Sequence, residues 1–108
     1  MEIEILVVPD CPNEIPATEQ LRRALDDVGL GDTTFATRTV TTQAEAERAG
    51  FTGSPTVLVN GRDPFAEEGR EPGLACRVYR SPLGLSGVPP LEGLRLALKE
   101  AADADLSR

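Results

Sequence analysis

The stretch "EIEILVVPDCPNEIP", residues 2–16, decides how this chain is read. Its first half, up to Val8, is built from aliphatic and β-branched residues and stops at Pro9. That is the pattern of a strand covered on both faces by its end. Asp10, Cys11, Pro12 and Asn13 form a turn-rich connector, and from Glu14 the spacing changes. Ala17, Leu21, Ala24, Leu25 and Val28 recur every three or four residues, which is one face of a helix. Pro16 suits the first turn, where its missing N–H is no loss, and Gly29 and Gly31 mark the end. Cys11 therefore stands between a strand and a helix. It is either a reactive thiol presented at a helix N-terminus or a small apolar residue that fills the turn.

Working outward, "TTFATRTV" (33–40) has the branched alternation of a second strand. Residues 41–50 then read as a short helix with Thr42 as N-cap, Glu45 three residues on and Gly50 closing it. "FTGSP" is a loop, and "PTVLVNG" (55–61) is a third strand that runs into an Asn-Gly turn. Residues 62–73 are polar and irregular, a mobile excursion by composition. "LACRVYR" (74–80) alternates and is expected to pair antiparallel with 55–59. After the Gly/Pro-rich loop "SPLGLSGVP", residues from Pro89 to Ala101 give a last amphipathic helix, and the final "DADLSR" is expected to fray. The expected order is β-α-β-α-β-β-α, an α/β fold with a mixed four-stranded sheet and helices on both faces.

Composition narrows the chemistry. With 108 residues the chain is most simply one domain, 1–108, with one core. A net charge of −7 argues against nucleic acid, whose phosphates call for Lys and Arg, and against an anionic membrane surface. No apolar run approaches the roughly 20 residues of a membrane span. No basic segment precedes an apolar one at the start, so a cytoplasmic protein is expected. The absence of His removes Ser-His-Asp and Cys-His mechanisms and nearly all zinc sites. With two cysteines, Cys11 and Cys76, no four-thiolate metal site can form within one chain. Neither a cofactor nor a resident metal is expected.

The element order, with a cysteine just after the first strand, resembles the thioredoxin fold. "GSPTVLVNG" (53–61) looks like the loop and strand in which those proteins carry a cis proline facing the cysteine, here Pro55. The chain is more closely similar to a set of small, uncharacterised bacterial thioredoxin-like proteins. The shared motifs are "CPN" (11–13), "GFTGSPTVLVNGRDPF" (50–65) and "GLACRVYRS" (73–81), within a likeness spanning residues 3–100. Some of those relatives are labelled alkylmercury-lyase-like and some are described as selenoproteins. A dithiol oxidoreductase carries Cys-x-x-Cys, whereas this chain has Glu14 at the resolving position, so ordinary thioredoxin chemistry through that motif is ruled out.

The candidate site follows from these placements. At a helix N-terminus, free backbone N–H groups and the helix dipole favour a thiolate at Cys11, while Asp10 and Glu14 oppose it. Cys76 shares a strand face with Leu74 and Val78, which makes it a core hydrophobe. Its functional alternative is a resolving thiol or second soft-metal ligand for Cys11, which requires Cα atoms within about 7 Å. The resemblance implies that the N–H and C=O of Ser54, beside Pro55 and Thr56, dock an extended peptide or thiol substrate. Asp63 is either a loop-starting residue before Pro64 or, with Arg62, the lining of a pocket beside the cysteine. Phe65 is expected to pin its loop to the core.

Three functions compete. The first is a thioredoxin-like thiol protein in which Cys11 reacts alone, with a small thiol or disulfide or a protein as partner. The second, suggested by the lyase-like relatives, is soft-metal or organomercurial binding by Cys11 and Cys76, with Asp10, Glu14 or Asp63 as acid. The third is a non-catalytic interaction domain on the same scaffold. Oligomeric state is not legible from the residues.

Overall fold

The computed structural model describes residues 1–106. In chain order they form β1 (Ile3–Val7), α1 (Glu14–Asp27), β2 (Ala36–Thr39), α2 (Gln43–Ala49), β3 (Thr56–Val59), β4 (Tyr79–Ser81), β5 (Gly84–Ser86) and α3 (Leu91–Leu106). The main sheet has three strands in the order β2-β1-β3, with β1 parallel to β2 and antiparallel to β3.

Alternation along the central strands sorts the core into two layers. Ile3, Ile5 and Val7 of β1, with Val57 and Val59 of β3, pack on Leu21, Ala24 and Leu25 of α1 and on Leu94 and Leu98 of α3. Leu6 and Leu58 point the other way, against Val40, Ala46 of α2 and Phe51. Helices thus cover both faces. β2 is the thin edge, its four residues all exposed.

Helix ends follow their local chemistry. The Thr42 hydroxyl accepts from the Glu45 N–H at 3.2 Å, and the Glu45 carboxylate accepts from Thr41 in return. Those Thr41 bonds hold the Glu45 carboxyl below its ordinary value. Gly50 closes α2 in the left-handed region at φ 66°. Beyond α1, Gly29 at φ 79° lets the Leu30 N–H return to the Leu25 carbonyl at 2.8 Å.

Three expectations need correction. The sheet is three-stranded, and an extra strand, β5, makes the order β-α-β-α-β-β-β-α. Residues 74–80 do not pair antiparallel with 55–59; strand structure there begins only at Tyr79, and it pairs with β5. At the end of β3 the chain turns back on itself, and Val59 and Arg62 exchange backbone hydrogen bonds at 2.8 and 3.1 Å. Finally, residues 103–106 continue α3 rather than fraying, while 107 and 108 of that tail lie outside the described residues.

Residues 62–73 hold no helix or strand. Phe65 anchors them, half-buried against the main core and edge-on to Tyr79 with ring centroids 5.4 Å apart. The contact needs Gly93 in α3, because a Cβ there would lie 2.6 Å from the Phe65 ring.

Candidate functional site

Cys11 sits in the turn between β1 and α1. Asp10 ahead of it takes a left-handed conformation, φ 57°, and the Glu14 N–H donates to the Cys11 carbonyl at 3.2 Å. The turn drives the side chain inward, leaving 9% of the residue exposed. Asn13 caps α1 by position without a side-chain bond to its N–H groups.

The group that meets the sulfur is Ser54. Its hydroxyl donates to Cys11 Sγ at 3.0 Å and accepts from the Val8 N–H at 3.1 Å. Ser54 is fully buried, and its peptide bond to Pro55 is cis. One hydroxyl therefore joins the end of the first strand, the thiol and the loop that opens β3.

The backbone of Ser54 is also engaged. Its N–H donates to the Ala75 carbonyl and its own carbonyl accepts from the Arg77 N–H, both at 2.9 Å. Residues 75–77 thus lie alongside Ser54 as a strap, with Cys76 its partner in an isolated parallel bridge. Gly53 makes the approach possible: it sits at φ 142°, and a Cβ on it would stand 2.8 Å from the Arg77 Cβ.

Arg77 fastens this strap. It is 3% exposed and reaches Asp63 Oδ2 at 2.6 Å, Thr56 Oγ1 at 3.1 Å and the Phe65 carbonyl at 2.6 Å. Its guanidinium lies 4.6 Å from the Tyr79 ring centroid. The Tyr79 hydroxyl donates to the Pro55 carbonyl at 2.6 Å. Burial pushes the Tyr79 phenol well above its ordinary value, with Arg77 opposing the shift.

The expected site residues therefore separate. Cys11 and Ser54 are in contact, and Cys76 pairs with Ser54 through the backbone; both thiols are free. Pro55 and Thr56 are buried in the scaffold, where Thr56 also donates to the Gly53 carbonyl at 2.7 Å. The Asp63 carboxylate holds Arg77 with one oxygen and accepts from the Phe65 N–H with the other, at 2.8 Å.

Cys76 is exposed, which overturns its reading as a core hydrophobe. Leu74, Ala75, Cys76 and Val78 are exposed, and from Cys76 onward the alternation runs the opposite way, with Arg77 and Tyr79 buried. The sequence offered one sign of this, an Asp and an Arg that each need a partner if buried, but nothing in it ties residue 63 to residue 77.

Two surface clefts lie elsewhere. One of about 540 Å³ involves Arg22, Arg23, Asp26 and Phe35, and one of about 200 Å³ involves Arg38, Glu45 and Arg48; neither includes Cys11. Among the described residues, no group of three or more Cys, Asp or Glu is placed to hold a metal ion, and no helix is long and apolar enough to cross a membrane. Compared with protein-family models, curated proteins and solved structures, the chain matches none.

Proposed function

We propose that the chain is a thioredoxin-like thiol protein of a reducing, cytoplasmic compartment, with Cys11 as a nucleophile in thiol–disulfide exchange. The observation that carries this reading is the Ser54 hydroxyl donating to Cys11 Sγ at 3.0 Å. A buried hydroxyl aimed at sulfur stabilises negative charge there, because a hydrogen bond to an ionised acceptor is stronger than one to its neutral form. The start of α1 adds the positive end of its dipole. The cis peptide bond ahead of β3, opposite the cysteine, is the second feature that supports the thioredoxin-like assignment.

The chemistry needs only a disulfide co-reactant. The Cys11 thiolate attacks one sulfur of a small disulfide, forming a mixed disulfide, and the other half leaves as a thiolate that takes a proton from water. A second thiol reverses the step. Incubation with glutathione disulfide followed by intact-mass measurement tests this. Wild-type protein is expected to react at Cys11, with the modified residue located by peptide mapping, and Cys11→Ala to lose that modification. An unreactive Cys11 would sink the proposal and favour the non-catalytic interaction domain.

A second reading is favoured by the backbone pairing of Cys76 with Ser54, the residue whose hydroxyl meets the Cys11 sulfur. Two thiolates suit a soft metal such as Hg(II) as substrate. Cleavage of an organomercurial would break the carbon–mercury bond as carbon takes a proton, leaving mercury on the thiolates. Asp63 is committed to Arg77, so Asp10 and Glu14 remain as acids. Mercury binding that survives Cys76→Ser unchanged would count against this pair.

A further inference from the structure

We infer that the strap 75–77 fills the backbone position at which an extended peptide would dock beside Cys11, so that the site takes low-molecular-weight disulfides and carries its second thiol, Cys76, within itself. This rests on the thiol–disulfide reading above and specifies its substrate class.

A peptide held as an added strand needs unpaired N–H and C=O groups on the edge it joins. Next to Cys11 those groups belong to Ser54, and both are taken, by Ala75 and Arg77 at 2.9 Å each. A protein client would have to strip both bonds. It would also have to draw Arg77, 3% exposed, away from Asp63, Thr56 and Phe65. A small disulfide needs none of this. It has only to reach a sulfur whose residue keeps 9% of its surface open.

The occupant of the docking position brings a cysteine with it. Cys76 is the backbone partner of Ser54, the same residue whose hydroxyl meets Cys11 Sγ. Cys76 is the exposed thiol of the strap, while Arg77 turns inward beside it. The first exchange leaves a mixed disulfide on Cys11 and releases one small thiol. Cys76 then gives its proton to water and attacks the Cys11 sulfur. The bond to the small group breaks, and a second small thiol leaves. The protein loses two electrons and two protons, which reduce one small disulfide to two thiols.

The test incubates reduced wild type, Cys76→Ser and Cys11→Ser with glutathione disulfide and follows intact mass. Wild type is expected to finish two hydrogens lighter without an adduct, Cys76→Ser to retain one glutathione on Cys11, and Cys11→Ser to form no internal bridge. A glutathione adduct equally stable in wild type and Cys76→Ser would overturn the role of Cys76 while leaving a reactive Cys11 intact. No adduct in either would overturn this inference together with the reading beneath it. Wild type should also react with glutathione disulfide at least tenfold faster, per disulfide, than with disulfide-bonded insulin. Equal or faster reaction with insulin would overturn the restriction to small substrates.

Discussion

The Ser54 hydroxyl reaches 43 and 46 residues back along the chain, donating to Cys11 Sγ while accepting from the Val8 N–H. Truncation at Ser54 therefore acts on stability and reactivity together. Ser54→Ala leaves the half-buried Val8 N–H without its acceptor, a loss of about 1 kcal/mol. It also withdraws a donor from the sulfur, so alkylation of Cys11 by iodoacetamide at neutral pH should slow several-fold. Urea titration and alkylation kinetics read the two effects separately. Unchanged alkylation in a folded Ser54→Ala protein would deny the hydroxyl any role in activating the thiol.

The Asp63–Arg77 pair makes the second prediction. Both side chains are nearly buried, at 10% and 3% exposure, so removing either partner strands a charge. Asp63→Ala should cost about 3–5 kcal/mol in chemical denaturation. Replacing both with apolar residues of similar volume should recover much of that loss, since the pair's attraction is offset by its desolvation.

Gly53 offers a steric test of the strap. Gly53→Ala adds a methyl group 2.8 Å from the Arg77 Cβ, at a φ of 142° that side chains rarely adopt. Strain of this kind costs on the order of 1–3 kcal/mol. The strap should loosen before the rest of the fold, giving faster alkylation of the buried Cys11 with little change in helical circular dichroism.

Tyr79 sets an alkaline limit. Folded, its phenol is held neutral by burial; unfolded, it ionises at its ordinary value of about 10. Below that pH the preference for the neutral form is fully present. As pH rises past it, the unfolded chain loses the proton first, so stability falls. Denaturation midpoints measured from pH 8 to 11 should decline at the upper end. Tyr79→Phe should flatten the decline while lowering stability throughout, because the Pro55 carbonyl loses its donor.

Much of this fold is legible in the residues because local patterns decide it. The run to Val8, the spacing from Ala17 to Val28, and the Thr42, Glu45 and Gly50 signals around α2 each state a period or a cap that tertiary context does not override. The region after β3 is different. Alternation in "LACRVYR" marks two faces without saying which is buried, and the hydrophobic choice, Leu74 and Val78, is the wrong one. What reverses it is a contact between residues 63 and 77, an ion pair that makes an arginine a core residue. At the site, the positions of Cys11 and Ser54 follow from strand, turn and loop. The filling of the Ser54 edge by the chain itself follows from long-range pairing alone.

The reach of Arg77 has a dynamic consequence. By tying Thr56 at the start of β3 and the segment 63–65 to the strap through one guanidinium, it joins two irregular stretches to the edge of the sheet. Such stretches would otherwise open separately, each at its own low free energy. Joined, they should open as one unit, and hydrogen-exchange measurements are expected to show the amide protons of Ser54 and Arg77 exchanging together, in the event that uncovers the thiol of Cys11.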